Sequence, residues 1–227
     1  MSAVLKSVVS KSKTRARTPK QRDTNAITQL PALDSKLVQI VDAAFADAAL
    51  RSGDHLKCRP GCTQCCVGVF AISQLDAVRL QAGMRELRKR DPKCADRVKQ
   101  RAKNSVKRLA ADFPGNAVTG VLYKDARSQC AFEDFANDEP CPALDPDTGL
   151  CDLYASRPMT CRVFGPPVRT EGGLGVCELC FTEATREEIS RCEMIPDPDG
   201  LEDRLLKKLG RSKGKREQTI VAYALLK

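Results

Sequence analysis

The chain has 227 residues, with 38 Lys and Arg against 29 Asp and Glu, and a net charge of +9. That length is enough to bury a core, and with 4% aromatics and no Trp the core must lean on Leu, Val, Ile and Ala. No stretch approaches the eighteen or so apolar residues that a membrane-spanning helix needs. Twelve cysteines, about five per cent of the chain, exceed ordinary intracellular usage.

The charge is uneven. Residues 1–22 hold seven Lys and Arg and no acid, which leaves the rest only about +2. Residues 1–32 read as a disordered basic tail, because Ser, Thr, Lys and Arg alternate without apolar periodicity. Its longest apolar run, Ala3–Leu5, is far too short for a secretory core, so a cytoplasmic, reducing setting is expected. The first helix is expected over 36–52, where Leu37, Ile40, Val41, Ala44, Phe45 and Ala48 recur at helical spacing behind Asp34 or Ser35 as cap. Gly53 stops it. His55, the only histidine, reads as a loop residue at that helix end.

Cys58-Arg-Pro-Gly-Cys62-Thr-Gln-Cys65-Cys66 then packs four thiols into nine residues. Ser73-x-x-Asp76 opens a second helix as a capping box, with Leu75, Val78, Ala82 and Leu87 inward and Arg79, Arg85, Arg88, Lys89 and Arg90 outward. Asp91-Pro92 restarts a third helix, running to about Phe113 with Val98, Ala102, Val106 and Leu109 on one face. Its basic residues, Arg97, Lys99, Arg101, Lys103, Lys107 and Arg108, fit a solvated face or a nucleic-acid surface, the solvated face being the commoner case.

Cysteines return at Cys141, Cys151 and Cys161, separated by the turn-forming Asp145-Pro-Asp-Thr-Gly149 and by Arg157-Pro158. Glu171–Gly175 reads as a hairpin turn, Cys177-Glu-Leu-Cys180 follows, and Thr185-x-x-Glu188 caps a short helix. A basic helix is expected over Leu201–Leu209, ended by Gly210. The apolar run Thr219–Leu226 fits strand or helix equally. Domain boundaries are therefore expected at 1–32 for the tail, 33–195 for a cysteine-cluster domain with a helical insert at 73–113, and 196–227 for a C-terminal segment. The fold class is mainly α with irregular metal-bound loops, α+β being the alternative.

Nine cysteines fall into two sets along the chain, 58, 62, 65, 66 and 141, 151, 161, 177, 180, while Cys94, Cys130 and Cys192 stand apart. Gaps of two to four residues between thiolates are those of structural zinc sites and of iron–sulfur clusters. Soft sulfur donors argue against Mg, Ca or Mn. Adjacent Cys65 and Cys66 point in different directions, joining either two sites or two corners of a polynuclear cluster. Arg157 and Arg162 flank Cys161 and are expected to support the thiolates or metal-bound sulfide through hydrogen bonds; an anionic substrate on Arg157 is the alternative. No Gly-rich phosphate loop and no Gly-x-Ser-x-Gly elbow occurs.

Cys58-x₃-Cys62-x₂-Cys65-Cys66, followed by Cys141, Cys151-x₂-Tyr154-x₂-Arg157-Pro158-x₂-Cys161-Arg162, resembles the YkgJ-type cysteine-cluster proteins, the zinc- or iron-chelating CxxCxxCC family. The resemblance covers roughly residues 55–181. It implies that both cysteine sets fold together onto metal, either Zn²⁺ or an iron–sulfur cluster such as [4Fe–4S]. The expected function is metal binding in a structural or redox role. The alternatives are an iron–sulfur-dependent peptide- or protein-modifying enzyme, methylase-like, and a metal-stapled nucleic-acid-binding module using the tail and hairpin. The spacing leaves open whether Cys177 or Cys180 completes the ligand set.

Overall fold

The structure, a computed structural model, describes residues 19–170, 173–213 and 217–227. Among the described residues, eight α-helices and three two-stranded antiparallel ladders make a mainly α architecture. The first helix, α1, spans Pro19–Ser52 and so begins well before the expected start near residue 36. Residues 19–32, expected in the tail, are helical; residues 1–18 lie outside the described residues. Asp34 and Ser35 are thus mid-helix and cap nothing. Ser35 Oγ donates to the carbonyl of Pro31, the proline inside the helix, at 3.0 Å.

Helix α2 (Gln74–Arg90) opens with the expected capping box between Ser73 and Asp76. Helix α3 (Pro92–Leu109) is capped by Asp91, which accepts from the Cys94 amide at 2.9 Å, and Pro92 occupies its first turn. The two helices pack along Ala77, Leu80, Met84 and Leu87 on one side and Cys94, Ala95, Val98 and Ala102 on the other, together with Ala143 and Leu153. The hairpin is therefore part of the core and not an appendage to it. Cys94 serves there as a small buried apolar group.

A second core joins Leu37, Val41 and Ala48 of α1 to Leu201, Leu205 and Leu209 of α7 (Leu201–Lys213) and to Leu75, Met159 and Met194. Gly210 lies inside α7 and does not end it. The C-terminal apolar run is strand and helix in succession. Gln218–Thr219 (β6) pairs with Ile72–Ser73 (β1), and Val221–Ala224 forms α8. Ile220, Ala222 and Tyr223 pack with Leu109, Phe113, Leu122 and Phe135 in a third core, next to the ladder of β2 (Gly115–Asn116) and β3 (Val121–Leu122).

One expectation fails informatively. Arg79, placed outward by its charge, is buried. Its guanidinium bridges Asp34 of α1, at 2.6 and 3.1 Å, and Asp76, at 2.5 Å. Burial of a charge is tolerable only when it is paired and hydrogen-bonded, and a two-nitrogen grip on Asp34 with a single bond to Asp76 meets that condition.

Glu202, at the start of α7, faces the same cluster. Burial, and then the negative charge of Asp76, push its carboxyl up to about 7 from the usual 4.5, with Asp197 and Asp34 adding to the shift and Arg79 opposing it. The native state therefore holds this proton where the unfolded chain has lost it, so stability falls as pH rises from about 4.5 to about 7. Glu202→Gln should leave the thermal midpoint near its value at pH 5 and raise it by a few degrees near pH 8, on the order of 1 kcal/mol after allowing for partial solvent screening. A variant curve parallel to wild type at both pH values would refute this.

Candidate metal centre

The loop Arg59-Pro60-Gly61-Cys62 makes a tight turn, with Cys62 N–H donating to Arg59 O at 3.0 Å and Gly61 at φ +87. Proline then positive-φ glycine is the requirement of a type II turn, and it returns Cys62 toward Cys58. A 3-10 turn at Gln64–Cys66 follows. From there the chain pairs antiparallel with 139–141: Val67 bridges Pro140, Cys141 N–H donates to Cys66 O at 2.7 Å and Gly68 N–H to Glu139 O at 2.9 Å. This pairing sets Cys66 beside Cys141.

Residues 143–152 fold back on themselves around Asp145–Gly149, with Asp145 N–H bonded to Leu150 O at 2.8 Å, Asp152 N–H to Ala143 O at 2.9 Å and Cys151 bridging Leu144. Arg101 of α3 pins this loop through Pro142 O (2.9 Å) and the Asp152 carboxylate (2.5 Å). Arg101 is therefore a structural residue. Pro158 then caps the short helix α5 (Met159–Val163), which carries Cys161. The Asp76 carboxylate accepts from the Met159 amide at 2.9 Å, so the capping box of α2 also fixes the start of α5.

Downstream, β4 (Val168–Thr170) and β5 (Gly173–Gly175) pair antiparallel and lead into Cys177-Glu-Leu-Cys180, whose turn Cys180 N–H closes on Cys177 O at 2.8 Å; of the turn expected over 171–175, residues 171 and 172 lie outside the described residues and 173–175 are strand. His55, at the end of a 3-10 turn, stacks on Phe181 with centroids 5.6 Å apart, and its carbonyl accepts from the Phe181 amide at 3.0 Å. Helix α6 (Arg186–Arg191) has the expected Thr185–Glu188 capping box.

These connections divide the nine cysteines differently from their order in the chain. Cys58, Cys62, Cys177 and Cys180 interact with one another: Cys58 and Cys177 each hydrogen-bond the Cys180 thiol, and the charge of Cys62 bears on both. Cys65, Cys66, Cys141, Cys151 and Cys161 form the other group, in which Cys65 bonds Cys66 and the charges of Cys65, Cys141 and Cys151 bear on Cys161. The division falls between Cys62 and Cys65, inside the first set. Gln64 and Glu178, joined by a side-chain hydrogen bond, tie the loops together there. Cys94, Cys130 and Cys192 stay outside both groups; Cys130 is exposed on α4 (Ala126–Glu133), and Cys192 donates to Arg51 O at 3.3 Å.

Backbone amides point at sulfur in both groups. Lys57 N–H donates to Cys180 Sγ at 3.3 Å, and the nearby backbone amides of Leu179, of Ala143 and Leu144, and of Leu153 favour the charged forms of Cys177, Cys141 and Cys151 in turn. Such bonds favour the thiolate over the thiol. Burial works the other way. It pushes Cys58 to about 12 and Cys141 to about 11 and raises Cys151, Cys161 and Cys177, with neighbouring thiols adding repulsion. Cys65 alone is drawn down, to about 6, by the hydrogen bond from Cys66 and by the Arg157 charge. Sulfurs crowded in this way carry charge together only around a cation, which inverts the balance. Among the described residues, no three His, Cys, Asp or Glu side chains surround a common point as ligands.

Two further features fit a bound metal. Arg157 lies 3.9 Å over the Tyr154 ring, reaches Tyr154 O at 3.4 Å and Asp42 at 3.7 Å, and keeps a buried Nε with no hydrogen-bond partner. Its charge lowers Cys65 and Cys151, so it is the group available to sulfur at that centre. Arg162 differs from expectation. It is only 2% exposed and uses its guanidinium on Asp42 (2.8 Å to both oxygens), Ala155 O (2.6 Å) and Arg157 O (3.2 Å). It therefore holds α5 against α1 and donates to no thiol.

The second feature is Gly165, at φ +117, where a Cβ would stand 2.7 Å from Cys58 Sγ. Gly165→Ala should displace Cys58, lower metal content at that group of thiols and destabilise by roughly 1–3 kcal/mol. Unchanged metal stoichiometry and melting in that variant would refute the tight fit.

Thiols gathered from separate loops, most of them half-buried, make this a thiol-rich domain. Residues 57–193 match the family model "CxxCxxCC: Putative zinc- or iron-chelating domain", and the chain belongs to that family. No curated protein and no solved structure matches it. Among the described residues, no helix is long and apolar enough to cross a membrane.

Proposed function

We propose that the protein is a metal-binding domain with two separate thiolate centres. Cys58, Cys62, Cys177 and Cys180 form a closed four-sulfur set of the kind that holds structural zinc. Cys65, Cys66, Cys141, Cys151 and Cys161 form a polynuclear centre, for which an iron–sulfur cluster is the best fit. Adjacent Cys65 and Cys66 suit two corners of a cluster better than one ion, and Arg157 offsets the charge that sulfide and thiolates accumulate. The observation that supports this reading is the division of thiol contacts between Cys62 and Cys65. In it both Cys177 and Cys180 are ligands, and neither is surplus.

The role that fits best is structural at the four-sulfur centre and redox at the other. Anaerobic purification followed by analysis for zinc, iron and acid-labile sulfide tests it. One zinc per chain with iron and sulfide in equal amounts, and absorption near ~400 nm, is the expected result. Loading should fall on acidification, because protons compete for every thiolate. Zinc alone would overturn the iron–sulfur assignment, and thiols oxidised in pairs without metal would overturn the whole reading.

A further inference from the structure

Residues 85–108 carry eleven Lys and Arg against three acids, a net +8, in a stretch of chain that is otherwise net acidic beyond residue 22. They span the end of α2 and nearly all of α3. The inward half of α3 is Cys94, Ala95, Val98, Ala102, Ser105 and Leu109. Its outward half presents Lys93, Arg97, Lys99, Lys103 and Lys107, all exposed, with Asp96 as its one acid. Asp96 is already paired with Arg88 at 3.2 Å, as Glu86 is with Lys89 at 2.9 Å.

A helix face built only for solubility alternates its charges. Here Lys99, Lys103 and Lys107 stand four residues apart, about 6 Å per step along the axis, a like-charge spacing that weakens a helix. Beside this row, Arg85, Arg88, Lys99 and Lys227 rim a cleft of about 240 Å³ between α2, α3 and the C-terminus.

We infer that this face binds the phosphate backbone of a nucleic-acid duplex, independently of base sequence. The partner follows from what the surface lacks as well as from its charge. None of the exposed large apolar residues lies between 74 and 109, so the face has no anchor of the kind that centres a protein interface or enters a membrane surface. It also contains no Phe, Tyr or Trp, so it has no platform on which unpaired bases stack. Rows of cations with neither feature bind phosphate and read no bases. Arg101 and Arg108 are not available: they hold Asp152 and Glu139.

The test uses the full-length, metal-loaded chain and labelled 20-base-pair duplexes of unrelated sequence, DNA and RNA separately, with anisotropy followed across a potassium chloride series. Each phosphate contact contributes roughly 0.9 to the slope of log affinity against log salt. Lys99→Gln/Lys103→Gln/Lys107→Gln should therefore reduce that slope by about two to three and weaken binding at least tenfold at ~100 mM salt. The Lys→Arg triple variant should retain both slope and affinity. All three side chains are exposed, so melting and metal content should be unchanged in either variant. Absence of duplex binding at low salt, or a slope that the Gln substitutions leave intact, would overturn the inference. Equal, equally substitution-sensitive binding to anionic vesicles or to polyglutamate would overturn the choice of partner. Preference for DNA or RNA duplex would identify which of the two backbones the face serves.

Discussion

Cys177→Ser is expected to remove metal from one centre and leave the other loaded, and Cys141→Ser to do the reverse. The expectation rests on the two groups of thiols that meet across the loops. A single nine-cysteine cluster would lose its metal as a unit with either substitution. Structural zinc contributes an apparent free energy of about 10–16 kcal/mol to the fold of small zinc domains, so losing a ligand is a large perturbation. Its reach should differ between the centres. Cys177 and Cys180 pack with Phe181, Cys192 and Leu56 in a small satellite core, and opening it should leave most helical signal intact. Cys141 and Cys151 pack against the main α2–α3 core, so Cys141→Ser should lower the thermal midpoint of the whole chain. Zinc, iron and sulfide per chain, read with far-UV circular dichroism, distinguish the cases; parallel loss of all metal in both variants would refute the two-centre arrangement.

Arg79→Met is expected to cost about 3–5 kcal/mol, because it leaves Asp34 and Asp76 as unpaired, partly buried carboxylates. For a chain of this size that corresponds to a fall of roughly 6–20 °C in thermal midpoint. Arg79→Lys should recover little, since an ammonium cannot reproduce the fork that grips Asp34 through two nitrogens. The effect should extend to the metal. Asp76 also holds the Met159 amide at the head of α5, two residues before Cys161, so a displaced Asp76 loosens a candidate ligand. A midpoint within about two degrees of wild type would show that the buried pair is not needed. Lost stability with full metal occupancy would separate the fold from the site.

Much of the local structure was legible because it depends on neighbours in sequence. The capping boxes at Ser73–Asp76 and Thr185–Glu188 and the cap at Asp91 stand where the residue pattern put them. Each is closed by a hydrogen bond or a backbone preference within a few residues. The start of α1 was not legible, because residues 19–35 lack an amphipathic stripe and contain Pro31. Arg79 and Arg162 were misread for a related reason. Arg79 was read as exposed from its charge and Arg162 as a donor to the thiolates, and the carboxylates that hold them on α1, Asp34 and Asp42, lie 45 and 120 residues away.

By itself the sequence determined the class of the protein: closely spaced cysteines with one histidine specify a soft-metal thiolate domain, and their order identifies the family. Only the tertiary structure decided which thiols meet. Spacing restricts cysteines two to four residues apart, as at 58–62 and 177–180, to the same neighbourhood. It carries no information on whether residue 62 faces residue 66 or residue 177. That choice is made by the pairing of 66–68 with 139–141, the Arg101 clamp on the 142–152 loop and the carboxylates that seat α5. These contacts join distant parts of the chain, and their energies exist only after the helices have packed.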